Sequence, residues 1–317
     1  MPSSPAPVRV PTIRTNVRSV IAARAPATPI ASPPPPPAPV RLPRPQPPRW
    51  LRAGLRAAST LAPSIAVRWM DHLFFTPPRM KARPSPVLEA GHRFSVETAR
   101  ERLAVWSWGD GPTVILLHGW GGRSDQLAGF VPPLLEAGFS VVAPDAPAHG
   151  DSTGSKSSVL GFAAALDAVA ARVGPVDAFV GHSAGAAAGA LAMHRGLHIR
   201  RAVFVSPVAA LTDIVTRFAW QMGIPPWTAD AMRRRAESRL GVPMSSLDVT
   251  TLARHATAPL LVFHDPTDAD VPWHDAAAIT QAWPGARLVD TPGLGHNRIL
   301  RDPQVVSQAV SFLADGR

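Results

Sequence analysis

A serine with glycine two residues before it and two after is the part of this chain best suited to chemistry: Gly181-His182-Ser183-Ala184-Gly185. The β-prone run Ala178-Phe179-Val180 precedes it, and the Ala-rich stretch 184–194 follows. A strand that turns sharply into a helix holds the serine backbone in a strained conformation, so its neighbours at those two positions must lack bulk. The hydroxyl then projects from the turn, with the helix N-terminus directed at it. Free N–H groups and a positive dipole end suit a developing oxyanion there. Ser183 is the expected nucleophile.

A hydroxyl nucleophile needs a base, and the base needs an acid that orients it. Downstream of Ser183 stand His194, His198, His255, His264, His274 and His296. The first two fall on or just after the helix that follows the serine, pointing away from the strand ends. His255 lies just before a strand, at the wrong end of a sheet. His296 sits in Gly293-Leu294-Gly295-His296, after the last β-prone run, where a loop can reach the serine. For the acid, Asp265, Asp268 and Asp270 all follow the run 260–263, and spacing to Val271-Pro272 favours Asp268.

His118-Gly119-Trp120-Gly121-Gly122 ends the apolar run 114–117. A Gly-rich turn lets backbone N–H groups approach a substrate carbonyl closely, so the amides of Trp120 and Ala184 are the expected oxyanion hole. His118, His182, Trp220 and Trp227 are expected around the substrate. Neither G-x-G-x-x-G nor a Walker lysine accompanies the turn, so it does not read as a phosphate loop. Asp145, His149 and Asp151 read as structural turn residues. The cluster His264, Asp265, Asp268, Asp270 and His274 lacks the spacing of a metal motif, and Pro266 and Pro272 stiffen it. Neither a metal nor a cofactor is expected.

The elements that must position these residues alternate. Phe94–Val96 and Leu103–Trp108 predict an antiparallel start. Strands are then predicted at 114–117, 141–143, 178–180, 202–205, 260–263 and 288–289, with helical periodicity between them and a last helix carrying Val305, Val306, Val310 and Leu313. Such alternation implies an α/β fold, a mostly parallel sheet with helices on both faces, and ligand binding at the carboxyl ends of the strands. Residues 208–256 break the rhythm and predict an apolar helical insertion.

With HGWGG at 118–122, DAPAHGDS at 145–152, GHSAG at 181–185, DPTDADVP at 265–272 and GLGHNRIL at 293–300, the chain resembles the α/β-hydrolase fold family over roughly residues 90–317. The resemblance implies Ser183 as nucleophile, Asp268 as acid, His296 as base, Trp120 and Ala184 as oxyanion amides, and 208–256 as a lid. One departure is Asp265, where the family commonly has glycine three residues before the acid. Segment 73–79 looks like a bacterial subgroup of unassigned substrate. The expected activity is hydrolysis of carboxylic esters or thioesters, small-molecule substrates, through an acyl-enzyme. Acyl transfer, amide cleavage or C–C bond hydrolysis would use the same residues. A non-catalytic binding protein of this fold usually lacks a member of the triad, and none is missing here.

Composition bounds the rest. The chain has 317 residues, no cysteine and a net charge of +10. Without cysteine there is no disulfide, thiolate metal site or cysteine nucleophile. Residues 1–70 hold ten arginines and no acid, while 71–317 hold 22 basic and 22 acidic residues, so the excess belongs to the N-terminal quarter. Sixteen of the 37 prolines lie in residues 1–50, which denies that stretch helix and sheet. The reading is an unfolded tail over 1–49, able to make weak contact with an anionic membrane but with no nucleic-acid role. An amphipathic helix over 50–80 packs on the core, and a hydrolase domain spans 90–317. Arg24 interrupts the short apolar run of a signal peptide, and Arg52, Arg56, Pro63 and Arg68 interrupt a membrane span, so the expected location is cytoplasmic.

Overall fold

The computed structural model describes residues 48–82 and 84–316. The expected tail lies outside the described residues up to residue 47, and Arg49 already begins a helix. No helix among the described residues is long and apolar enough to cross a membrane.

Eight strands form one sheet: β1 (His92–Glu97), β2 (Arg102–Trp108), β3 (Thr113–Leu117), β4 (Ser140–Pro144), β5 (Val176–His182), β6 (Arg201–Val205), β7 (Leu260–His264) and β8 (Arg287–Asp290). Their spatial order is β1-β2-β4-β3-β5-β6-β7-β8. The β1–β2 and β2–β4 pairs are antiparallel, and every pair from β4–β3 to β7–β8 is parallel. Successive side chains of a strand point to opposite faces, so a strand buried on both faces must be apolar throughout. In β3, Val114 and Leu116 pack on one face and Ile115 and Leu117 on the other, all inaccessible to solvent. One face is closed by helices Val159–Val173 and Ala184–His194, the other by Val131–Glu136 and Pro303–Ala314.

Register brings the functional loops together. Leu117 at the end of β3 pairs with Gly181 of β5, and His182 pairs with Val205 of β6. The turn after β3, the serine turn after β5 and the loops after β7 and β8 thus leave the same end of the sheet.

The N-terminal region is two helices rather than one. Helix α1 spans Arg49–Leu61 and α2 spans Pro63–Phe75. Proline disfavours the helical conformation of the residue before it yet fits the first helical position, so Ala62 leaves helical geometry at φ −146° and ψ 66°. Leu55 of α1 and Met70 and Phe75 of α2 are buried, each contributing about 1.5–3 kcal/mol. Asp71 of α2 is buried as well, and its carboxylate meets Arg239 at 2.5 Å and Arg235 at 3.5 Å. Both arginines belong to helix Pro226–Leu240 of the insertion, whose other long helix is Leu211–Met222. A buried carboxylate is tolerated only when paired, so Asp71 ties α2 to the insertion.

Candidate active site

Steric demand shapes the serine turn as its spacing predicts. Ser183 has φ 51° and ψ −115°, one of three positive-φ residues other than glycine among those described, a strain of about 1–3 kcal/mol. A Cβ on Gly181 would lie 2.7 Å from the Cα of Ala186, and one on Gly185 would lie 2.4 Å from the carbonyl oxygen of Leu117. Neither position has room for a side chain. The Ser183 N–H donates to the Val205 carbonyl at 3.0 Å, and its own carbonyl accepts from Ala186 and Ala187. The turn is locked into the sheet and into the helix Ala184–His194.

The turn after β3 presses against it. A Cβ on Gly119 would come within 3.0 Å of the Ser183 Cβ. His118 is fully buried and does not line the cavity, contrary to its expected pocket role. Its Nε2 accepts from the Ala146 N–H at 3.0 Å and its Nδ1 donates to the Gly119 carbonyl at 2.7 Å. It joins the β3 and β4 loops. Burial pushes its pKa down to about 4, so it stays neutral. His149 does related work: its Nε2 accepts from the Gly121 N–H at 2.9 Å, and its pKa falls to about 4, first through burial. Asp145 accepts from the Ser124 and Asp151 N–H groups. Among the described residues the Trp120 and Ala184 amides take no protein acceptor.

The loop after β7 meets the loop after β8 through a carboxylate and an imidazole. Asp268 Oδ2 lies 2.7 Å from His296 Nδ1, while its Oδ1 accepts from the Asp270 N–H at 2.6 Å and the Val271 N–H at 3.0 Å. Burial alone would raise the Asp268 carboxyl, but the His296 hydrogen bond and charge, with the two amides, hold it below the usual range. Asp265 bonds the Thr267 N–H and hydroxyl and, across the gap, the Gly295 N–H. It anchors the loop that carries His296. His182 donates from Nε2 to the His296 carbonyl at 3.0 Å, and burial, then the nearby His296, lowers its pKa well below the ordinary imidazole value.

Ser183, Ala184, Trp120, His182 and His296 line one cavity of about 470 Å³, within the size of small-molecule sites. No hydrogen bond joins the Ser183 hydroxyl to His296 among the described residues; such bonds are often long before substrate binds. The cavity is mainly apolar. Leu73, Phe74 and Met80 wall it from the N-terminal side, and Leu211, Ile214 and Phe218 from the insertion. The rings of Phe74 and Phe218 meet edge to face at 5.4 Å. Trp220 and Trp227 do not line it and are largely solvent-exposed. The reason is helical phase: Leu211, Ile214 and Phe218 repeat at three and four residues, and Trp220 falls off that face. This spacing was the signal that would have found the true wall. Asp268, Asp270 and His296 offer atoms within 4.8 Å of one another, the set of described residues nearest to a metal site. Asp268 already uses both oxygens on the bonds above.

Residues 112–257 match the family model described as alpha/beta hydrolase fold. Among solved structures, an esterase of Pyrococcus furiosus aligns with TM-score 0.60 at 21% identity, over 75% of this chain and 98% of its own. Est1E of Butyrivibrio proteoclasticus, bound to ferulic acid, aligns with TM-score 0.55 at 19% identity, over 70% and 96%. The thioesterase domain from the curacin biosynthetic pathway aligns with TM-score 0.54 at 17% identity, over 71% and 99%. At these identities the likeness is one of fold. No curated protein matches the sequence.

Proposed function

Since this chain belongs to the α/β-hydrolase fold family, we propose that it is a serine hydrolase of carboxylic esters or thioesters. The observation that carries the reading is the 2.7 Å contact of buried Asp268 with His296, which lines the same cavity as the strained Ser183. Esterase and thioesterase neighbours of the same fold support it.

In this reading Ser183 Oγ attacks the acyl carbonyl while His296 Nε2 takes its proton. Asp268 holds the ring by Nδ1 and stabilises the imidazolium without taking its proton. The carbonyl oxygen, now an anion, accepts from the Trp120 and Ala184 amides, and one such donor is worth about 3 kcal/mol in the transition state. As the tetrahedral intermediate collapses, the bond to the leaving oxygen or sulfur breaks and His296 returns the proton to it. Water, deprotonated by His296, then attacks the acyl-serine and releases the carboxylic acid. The apolar wall favours a hydrophobic acyl group.

A fluorophosphonate probe tests the reading. It should label Ser183 in the native protein and fail on Ser183→Ala and on heat-denatured wild type. Absence of labelling at Ser183, in a protein that is folded by circular dichroism, overturns it.

A further inference from the structure

A second recess, of about 340 Å³, opens beside the cavity and shares Met80, Gln126 and Asn297 with it. Its lining carries Lys81, Arg298 and Arg301, all exposed. Among the described residues Lys81 and Arg301 have no carboxylate partner. Arg298 donates only to the carbonyl oxygens of Gly293 and Leu294, which leave its charge uncompensated. Arg123 and Asp125 also line the recess, but Arg123 is paired with Asp151 at 3.0 Å and with Asp125 at 3.9 Å. The recess therefore holds three unbalanced positive charges, although the 22 basic and 22 acidic residues of 71–317 cancel overall. The catalytic cavity differs: its one guanidinium, Arg217, is offset by the buried Asp275.

Direction gives the recess a role. His296 must face the leaving group in order to protonate it. Asn297 follows directly in sequence and lines both spaces. An acyl chain that fills the apolar cavity sends its leaving group past His296 toward the recess. Clustered cations at a concave surface focus the field on an anion, and Arg and Lys are the side chains that bind phosphate and carboxylate oxygens. We propose that the recess binds an anionic leaving group, so that the substrate is a hydrophobic acyl ester or thioester of a phosphate- or carboxylate-bearing alcohol or thiol. This rests on the serine hydrolase reading above.

The test compares octanoyl-coenzyme A, 4-octanoyloxybenzoate and neutral p-nitrophenyl octanoate on wild type and on the double variant Lys81→Ala/Arg301→Ala, whose side chains touch no member of the triad. On at least one anionic substrate kcat/KM should fall about tenfold or more, as expected for lost charge-assisted contacts. On the neutral ester it should hold. A fall confined to octanoyl-coenzyme A assigns the recess to phosphate, and one confined to the benzoate assigns it to carboxylate. Equal losses on all three substrates, or none, overturn the proposal. If wild type cleaves no ester, the hydrolase reading fails instead, and calorimetric binding of coenzyme A and of benzoate to Ser183→Ala, with and without the double substitution, decides the recess alone. Binding weakened by the double substitution supports it, and unchanged or absent binding overturns it.

Discussion

The floor and the roof of the cavity are built on different principles. The floor, Trp120, Ser183, Asp268 and His296, stands on loops leaving neighbouring strands, and strand register with tightly enclosed glycines fixes it. The roof comes from α2, the segment after it and the insertion. It consists of apolar side chains such as Phe74 and Phe218, held by a few polar ties, Asp71 to Arg235 and Arg239 among them. In the proposed mechanism the floor's backbone supplies the oxyanion amides and aims the three side chains, so small displacements should destroy it. In the roof what counts is volume and apolarity, and cores tolerate volume-conserving change. Chemistry should therefore fail by floor changes, and selectivity should drift by roof changes.

The sharpest test removes the proposed nucleophile. Ser183→Ala should lower ester turnover by a factor on the order of 10⁶ with unchanged circular dichroism. Wild-type turnover by that variant would end the distinction at once. Next comes the proposed acid. Asp268→Asn should cost about 10⁴ in kcat, because an amide at that position favours the wrong imidazole tautomer. Asp265→Asn should cost far less, since an asparagine oxygen still accepts the Gly295 N–H. A larger loss for Asp265→Asn would move the acid to Asp265.

Roof changes should be milder and selective. Phe218→Ala should reduce kcat/KM for an octanoate ester by about 10–100-fold, the worth of one large apolar contact, and leave an acetate ester nearly unaffected. Equal losses on both esters would show that the roof shapes the floor. Asp71→Asn leaves two part-exposed arginines that water can reach. A loss of about 1–3 kcal/mol is expected, read as a lower melting temperature, with kcat on acetate esters retained.

The last test concerns pH and lies beside the floor, at His149, which accepts from the Gly121 N–H. His149 has a pKa of about 4 in the folded protein against about 6.5 unfolded. Between these values the unfolded chain binds the proton and the folded one does not, so folding is favoured above pH 6.5 and loses ground as pH falls toward 4. His149→Gln removes that loss. Melting temperatures should fall less steeply for the variant over this window, and parallel curves would contradict the buried neutral histidine.

The strands, the serine turn and the order of functional loops were legible because they follow from local rules. An apolar run without alternation must be buried on both faces, and a serine between glycines two residues away on each side must turn sharply. His118 departs from its expected pocket role because its partners are not local. Sequence shows that a histidine ends β3 but not that its nitrogens are spent on Ala146 and Gly119. The break at Ala62 is legible in Pro63, which disfavours helical geometry at the residue before it.

What the sequence determined by itself is what a few adjacent residues dictate sterically, the elbow at Ser183 and the alternation that makes a parallel sheet, together with the absence of a cysteine nucleophile. What only the tertiary structure decided is which distant groups meet. Three aspartates follow β7 within six residues, and chain spacing ranks them only loosely. The fold chooses by giving Asp268 to His296, 28 residues away, and Asp265 to the backbone of the loop that carries it. In the same way α2 and the insertion, more than a hundred residues apart, become one wall only when Phe74 meets Phe218. Side-chain direction at a loop depends on hydrogen bonds from elsewhere in the molecule, and no local pattern of residue types encodes those.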